Sequence, residues 1–331
     1  MKILIIQSNV HDTRIMMEYK PEYISKIREI VPSAEIVVVE EILEEVNKNF
    51  PDTDILICGY FDRPDLVDFS IAKKLKWVHV ESAGAQDISA ALRHTDIIVT
   101  NSSGVHPIPI AEHVFGLLLM FTRKLNNAYK RQLEKQKWEK SYTLFPVEEL
   151  SGKTMGIVGY GRIGKRIAEV AKSFGMKVIA IKHETQKEDI HADQFYKSED
   201  LDILLAESDV LVNALPLTPE TKGLFNLDKF KLMKRSAYFV NIGRGKTVIE
   251  KDLIQALKEE IIRGAGLDVF EEEPLLPSSP LWNLENVIIT PHFAGWTPRY
   301  AERVIDIFCQ NLEAYMKNEK MPNFVDKQRG Y

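Results

Sequence analysis

Short runs of apolar, largely β-branched residues alternate with stretches whose apolar positions recur at helical spacing, along almost the whole chain. In the first third the runs predict strands at 3–7, 35–39, 54–58, 77–80 and 97–99, with helical patterns at 23–31, 42–48, 67–75 and 88–93 between them. Strands that are apolar throughout and separated by helices belong in a parallel sheet covered on both faces. The alternation then pauses. Residues 108–138 read as one long helix or two in succession, followed by an irregular 141–150 stretch containing Pro146. From Lys153 it resumes, with strands predicted at 154–158, 177–181, 209–214, 237–242, 265–269 and 287–289, and helices starting near Arg162, Asp200, Lys229 and Lys251. A last amphipathic helix over 298–318 gathers Val304, Ile305, Phe308, Leu312 and Tyr315 on one side. The pattern predicts an α/β protein of two doubly wound parallel-sheet units.

Composition narrows the functional classes. A chain of 331 residues, 45% of them hydrophobic, has enough apolar material for two domains with their own cores. The net charge of -5, with Lys130 and Arg131 interleaved with Glu134 and Glu139, gives no basic patch for nucleic acid and reads as a solvated helix face. The chain opens directly on a strand-like run and shows neither a signal-peptide pattern nor an apolar segment of membrane length. No membrane partner and a cytoplasmic location are therefore expected. Cys58 and Cys309 sit in apolar runs and read as small buried hydrophobes. His106 and His113 have no second cluster at ligand spacing, so no metal is expected.

Chemistry first enters at Gly159, Gly161 and Gly164, a G-x-G-x-x-G spacing between a predicted strand and an amphipathic helix. In a dinucleotide-binding turn the first glycine permits the tight bend, the second lets the backbone approach a pyrophosphate, and the third lets helix and strand pack closely. Arg162 and Ile163 open the helix, whose free N–H groups would hold the anion. A carboxylate usually ends the second strand and binds the ribose 2′-hydroxyl. Here Lys182 and His183 follow the strand, with Glu184 beyond them. A cation suits a 2′-phosphate, so NADP(H) is the preferred cofactor and NAD(H) the alternative if Glu184 takes the acidic position.

Three later segments, each behind a predicted strand, carry Arg244, Glu273 before Pro274, and His292 after Pro291. The carboxyl edge of an open parallel sheet is where ligands bind, so these loops are expected to converge. Together with Ser82-Ala83-Gly84-Ala85, the 105–113 stretch ending in Ala-Glu-His, and 215–221, they resemble the D-isomer-specific 2-hydroxyacid dehydrogenase family. The likeness extends over almost the whole chain and is nearest to the glyoxylate/hydroxypyruvate reductase branch.

That resemblance implies a flavodoxin-like substrate domain at 1–102 and 297–331, with a Rossmann-like cofactor domain inserted at 103–296. It implies hydride transfer between NAD(P)H and C2 of a small 2-oxo acid, giving a D-2-hydroxy acid. His292 would be the general acid, Glu273 the carboxylate that pairs with it and fixes its ring, and Arg244 the substrate clamp. Backbone N–H groups of Gly84 and Ala85 would hold the substrate carboxylate. Leu215, Pro216, Thr221, Ile242, Gly243 and Gly295 are expected along the cofactor's path. Asp268 would bond the nicotinamide carboxamide or else cap its local turn. Trp296, Tyr60 and Phe61 are candidate pocket walls.

The 108–138 segment resembles the arm through which family members dimerise, so a homodimer is expected. Similar formate dehydrogenases carry glutamine where Glu273 stands, which counts against that activity. Phosphoglycerate dehydrogenase remains open, although little chain follows the last helix for a regulatory domain. The alternative from another class is a dinucleotide-sensing interaction protein of corepressor type, but no long extension for recruiting partners is evident.

Overall fold

The computed structural model describes residues 1–7, 18–59, 67–135, 138, 140–143, 145–182 and 189–328. The chain divides into two compact units, Met1–His106 with Trp296–Tyr331, and Pro107–Gly295. Each is built on a parallel sheet, as the apolar runs predict.

In the first unit β1 (Lys2–Gln7), β2 (Glu35–Glu40), β3 (Ile55–Cys58), β4 (Trp77–Val80) and β5 (Ile98–Asn101) lie in the order β2-β1-β3-β4-β5, all neighbours parallel. Ile3 to Ile6 and Ile55 to Cys58 are all buried, because helices cover both faces. On one face, helix Pro21–Ile30 and the late helix Tyr300–Met316 contribute Ile24, Ile27, Val304, Ile305, Phe308 and Leu312 to a cluster with Trp77. Trp77 stacks on Phe308 with centroids 4.9 Å apart and donates from Nε1 to Thr100 Oγ1 at 2.8 Å. The chain's final segment completes this sheet: Val325 N–H donates to Val99 O at 2.9 Å, and Phe324 bridges antiparallel to Thr100.

In the second unit the order is β12-β11-β10-β9-β6-β7-β8, again wholly parallel. The strands are β6 (Thr154–Val158), β7 (Lys177–Ile181), β8 (Gln194–Tyr196), β9 (Val210–Asn213), β10 (Tyr238–Asn241), β11 (Gly264–Leu267) and β12 (Val287–Ile289). The chain runs outward from β6 through β7 to β8, then returns to β9 on the other side of β6 and proceeds to β12. The order therefore reverses between β6 and β9, the switch point where doubly wound sheets open a crevice at their carboxyl edge.

One expectation needs correction, one alternative is decided, and one strand is new. The 67–75 helix reduces to a 3-10 turn at Phe69–Ile71: the Asp68 carboxylate caps its start by accepting the Ser70 N–H at 2.9 Å, and the chain leaves it at Ala72, whose ψ of 75° is not helical. The 108–138 segment contains two helices, Pro107–Thr122 and Leu125–Lys135, interrupted where Lys124 takes a left-handed φ of 56°. The edge strand β8 has no predicted counterpart; with three residues, none of them buried, it leaves no apolar run to read. Among the described residues, no helix is long and apolar enough to cross a membrane.

Candidate active site

The glycine-rich turn leaves β6 at the switch point. Gly159 has φ +102°, and a Cβ there would lie 2.8 Å from the Ala214 carbonyl beyond β9, so only hydrogen fits. A Cβ on Gly164 would meet the Gly159 carbonyl oxygen at 2.5 Å, so helix Arg162–Ser173 starts hard against the strand end. Gly161 is the opposite case. It is exposed, its Cβ position has nothing within 4 Å, and as N-cap it offers no side-chain acceptor to the helix's first N–H groups. Unfilled donors at a helix start that faces open space fit a pyrophosphate. Arg162 is exposed in the first turn and Ile163 is half-buried. Lys182 comes directly after β7 and is half-buried, whereas His183 and Glu184 lie outside the described residues.

The neighbouring loops pack against this turn. Leu215 and Pro216 follow β9, and a Cβ on Gly243 would lie 2.6 Å from the Leu215 carbonyl oxygen, which presses the buried Ile242-Gly243 end of β10 onto that loop. The Thr221 hydroxyl donates to Pro216 O at 2.7 Å and accepts the Thr218 N–H at 2.8 Å, closing the 216–221 turn.

Arg244, Glu273 and His292 follow β10, β11 and β12, three adjacent strands. Arg244 is exposed, and one guanidinium nitrogen donates to Gly243 O at 2.8 Å. Its loop is held from beneath by a network absent from the sequence reading. Buried Asn213 donates from Nδ2 to Asn241 Oδ1 at 2.9 Å and to Thr247 Oγ1 at 2.7 Å, and Thr247 Oγ1 donates to Arg244 O at 2.6 Å. Asparagines ending adjacent apolar strands were the available signal, since a buried amide must find partners. A Cβ on Gly245 would come within 1.7 Å of Phe270 O, so the Arg244 loop and the Glu273 loop touch backbone to backbone.

His292 and Glu273 meet directly, Nδ1 to Oε2 at 2.7 Å, while Glu273 Oε1 accepts the Phe270 N–H at 2.9 Å. The two side chains are 52% and 36% exposed. An ion pair this open to water adds at most about 1 kcal/mol to stability. Yet His292 holds a left-handed φ of 53°, a conformation that costs roughly 1–2 kcal/mol outside glycine. Stability alone gives little reason for this arrangement. Among the described residues nothing hydrogen-bonds Nε2, so that edge of the ring is available to a ligand.

Asp268 is buried behind this turn. Its oxygens accept from Thr290 Oγ1 at 2.6 Å, Phe293 N–H at 3.1 Å and Ala294 N–H at 3.0 Å. Its carboxylate is thus engaged by the local turn, which runs on into the half-buried Gly295.

Gly84 and Ala85 lie in the first unit, just beyond β4. Asn101 Nδ2 donates to Ala83 O at 2.8 Å, the Ser82 hydroxyl donates to Gly84 O, and Ala85 N-caps a short helix, Gln86–Ala91. Immediately before the turn, buried Glu81 accepts the Tyr19 hydroxyl at 2.5 Å, and burial pushes its carboxyl up to about 8. A lone glutamate after an apolar strand gave no sign of this in the sequence. Trp296 is exposed; Tyr60 and Phe61 lie outside the described residues.

Comparison with known proteins gives the family. The profile described as "D-isomer specific 2-hydroxyacid dehydrogenase, NAD binding domain" matches residues 115–294. A glyoxylate reductase of Thermofilum pendens is 37% identical over 289 residues, covering 86% of this chain and 85% of its own. The crystal structure of a D-isomer specific 2-hydroxyacid dehydrogenase family protein from Aeromonas salmonicida superposes with a TM-score of 0.80 at 31% identity, covering 98% of this chain and 99% of its own. An NADPH-dependent glyoxylate/hydroxypyruvate reductase from Sinorhizobium meliloti, solved with NADP and sulfate, gives 0.76 at 26% identity, with both chains fully covered.

Proposed function

This chain belongs to the D-isomer-specific 2-hydroxyacid dehydrogenase family, a family of nicotinamide-dependent oxidoreductases, and we propose that it reduces glyoxylate or hydroxypyruvate to the corresponding 2-hydroxy acid. The observation that carries the reading is the open His292–Glu273 pair, held on a strained backbone in the same unit as a dinucleotide turn. The dinucleotide, when bound, supplies or accepts the hydride at the substrate's C2.

The chain's own residues do the rest. Glu273 holds Nδ1 and fixes the ring, so that Nε2 carries the proton to the carbonyl oxygen as negative charge develops there, and takes it back in the oxidation direction. Arg244 draws the oxo acid in by its carboxylate and carbonyl oxygens. The N–H groups of Gly84 and Ala85 bind the carboxylate's other side. Gly159, Gly161, Arg162, Ile163 and Gly164 receive the pyrophosphate, with Leu215, Pro216, Thr221, Ile242, Gly243 and Gly295 along the dinucleotide.

Lys182, directly beyond β7, favours NADP(H) over NAD(H), since its ammonium meets a 2′-phosphate better than a 2′-hydroxyl. The enzyme works as a homodimer in the cytoplasm. Helix Leu125–Lys135 supports the dimer: Leu125, Tyr129 and Leu133 recur every fourth residue and stay exposed, beside a cavity of about 1070 Å³ lined in part by Phe121, Asn127 and Tyr238. The substrates are small 2-oxo and 2-hydroxy acids, with no nucleic-acid or membrane partner.

A screen of glyoxylate, hydroxypyruvate, pyruvate and bulkier oxo acids with NADPH and NADH in parallel tests the reading. Fast NADPH oxidation with either of the first two is expected. Slow turnover with every oxo acid would return the reading to a dinucleotide sensor.

A further inference from the structure

Asp268 is almost wholly buried, and a buried carboxylate is tolerated only when donors surround it. The Thr290 hydroxyl and the Phe293 and Ala294 N–H groups are those donors. They lie on either side of His292, whose own N–H is shared between Asp268 O and Thr290 O, both at 3.0 Å. The Asp268 N–H is in turn fixed to Asn241 O at 3.1 Å, which ties the whole turn to β10. A non-glycine residue in the left-handed region persists only where its surroundings over-determine it, and these bonds do so.

The network extends one residue further. A hydroxyl has a single proton, and that of Thr290 is committed to Asp268. Thr290 Oγ1 therefore accepts from His113 Nε2, 3.0 Å away on helix Pro107–Thr122. The His113 side chain is 14% exposed, and its ring meets Phe293 edge-on at 5.5 Å with an interplanar angle of 89°. Desolvation lowers the pKa of His113 despite the nearby Asp268, so the ring is neutral with its one proton on Nε2. The hydrogen bonds then run one way, from His113 to Thr290 to Asp268.

We propose that His113 and Thr290 are positioning residues that act through Asp268 to hold the His292 imidazole in place, an inference that rests on the general-acid reading of His292. Asp268 accordingly serves as the anchor of the catalytic turn, a role that leaves its Oδ2, which accepts the Ala294 N–H, with a second lone pair for a cofactor donor. None of the three donates a proton to substrate. Their effect is on where the donor stands.

Three readouts on the purified full chain test this: kcat at saturating oxo acid and NADPH, NADPH Kd by fluorescence titration, and Tm. Thr290→Val keeps the shape but removes the hydroxyl. It should lower kcat roughly 10- to 100-fold, the scale of a small misplacement of a reacting group, with NADPH Kd within about twofold. Thr290→Ser retains the hydroxyl and should restore the rate to within about threefold. His113→Leu should lower kcat about tenfold with the same unchanged Kd, and stands as the test if Thr290→Val does not fold. His292→Ala is the control for the underlying reading: if it turns over normally, the general-acid assignment is what fails. If His292→Ala is inactive while the folded Thr290→Val and His113→Leu keep parental kcat, the positioning network is refuted. Asp268→Asn that weakens NADPH binding and leaves kcat at saturation intact would also overturn it, by returning Asp268 to the cofactor.

Discussion

Two histidines near the carboxyl edges of the two sheets show how position decides chemistry. His79, within β4, is wholly buried, with Nδ1 at 2.7 Å from Thr100 Oγ1 and Nε2 at 3.0 Å from Ser102 Oγ, and its ring 5.4 Å from that of Phe308. Burial with no carboxylate in contact pushes it down to about 3, so it stays neutral at any working pH. His292 is half-exposed, faces Glu273 at 2.7 Å, and keeps one ring nitrogen for a ligand. One imidazole is a satisfied part of a core, and the other is presented for proton transfer. A histidine's role follows from its solvent and its partner.

The sharpest way to break this contrast is to remove each ring in turn. His292→Ala should cut kcat by roughly two to four powers of ten, measured at saturating substrate, with Tm nearly unchanged. An equal kinetic loss from His79→Gln, at preserved Tm, would collapse the distinction. Next in size, Arg244→Ala should lower kcat/KM by about 10²- to 10³-fold, KM and kcat both contributing. Lys182→Asp exchanges a cation for a carboxylate at the end of β7 and should shift the NADPH-to-NADH ratio of kcat/KM by about tenfold towards NADH, leaving the oxo-acid preference alone.

The smallest effect concerns His79 and stability. Its folded value of about 3 lies below its ordinary 6.5, so below pH 6.5 the unfolded chain takes up a proton that the folded chain refuses. Stability is therefore lost as pH falls from 6.5 towards 3. Urea midpoints at neutral and mildly acidic pH should show a flatter slope for His79→Gln than for the parent. Parallel slopes would mean that the ring is not desolvated as described.

The sheets were legible because buried parallel strands need continuous apolar, β-branched runs, and β1, β3, β6 and β9 have them. The glycine turn was legible because backbone crowding at Gly159 and Gly164 admits no side chain, leaving a fixed spacing in the sequence. What escaped depends on distant partners. Lys124 bends the chain without Gly or Pro to announce it, and the turn that Asp68 caps ends at Ala72 with no such residue either. Asn213 and Thr247 are 34 residues apart, and His113 and Thr290 177 apart, so neither bond leaves a periodic trace. The direct meeting of Glu273 with His292 was expected from resemblance, whereas the buried bonds that hold their loops emerged only from packing.

Because the helix Tyr300–Met316 and the segment around Val325 are structural members of the first unit, that unit cannot be completed until the ribosome has passed Val325, long after β5 has emerged. The second unit, continuous from Pro107 to Gly295, has all its strands much sooner. During synthesis β1 to β5 must wait with the apolar face that later receives Phe308 uncovered, a transiently exposed surface of the kind that favours aggregation.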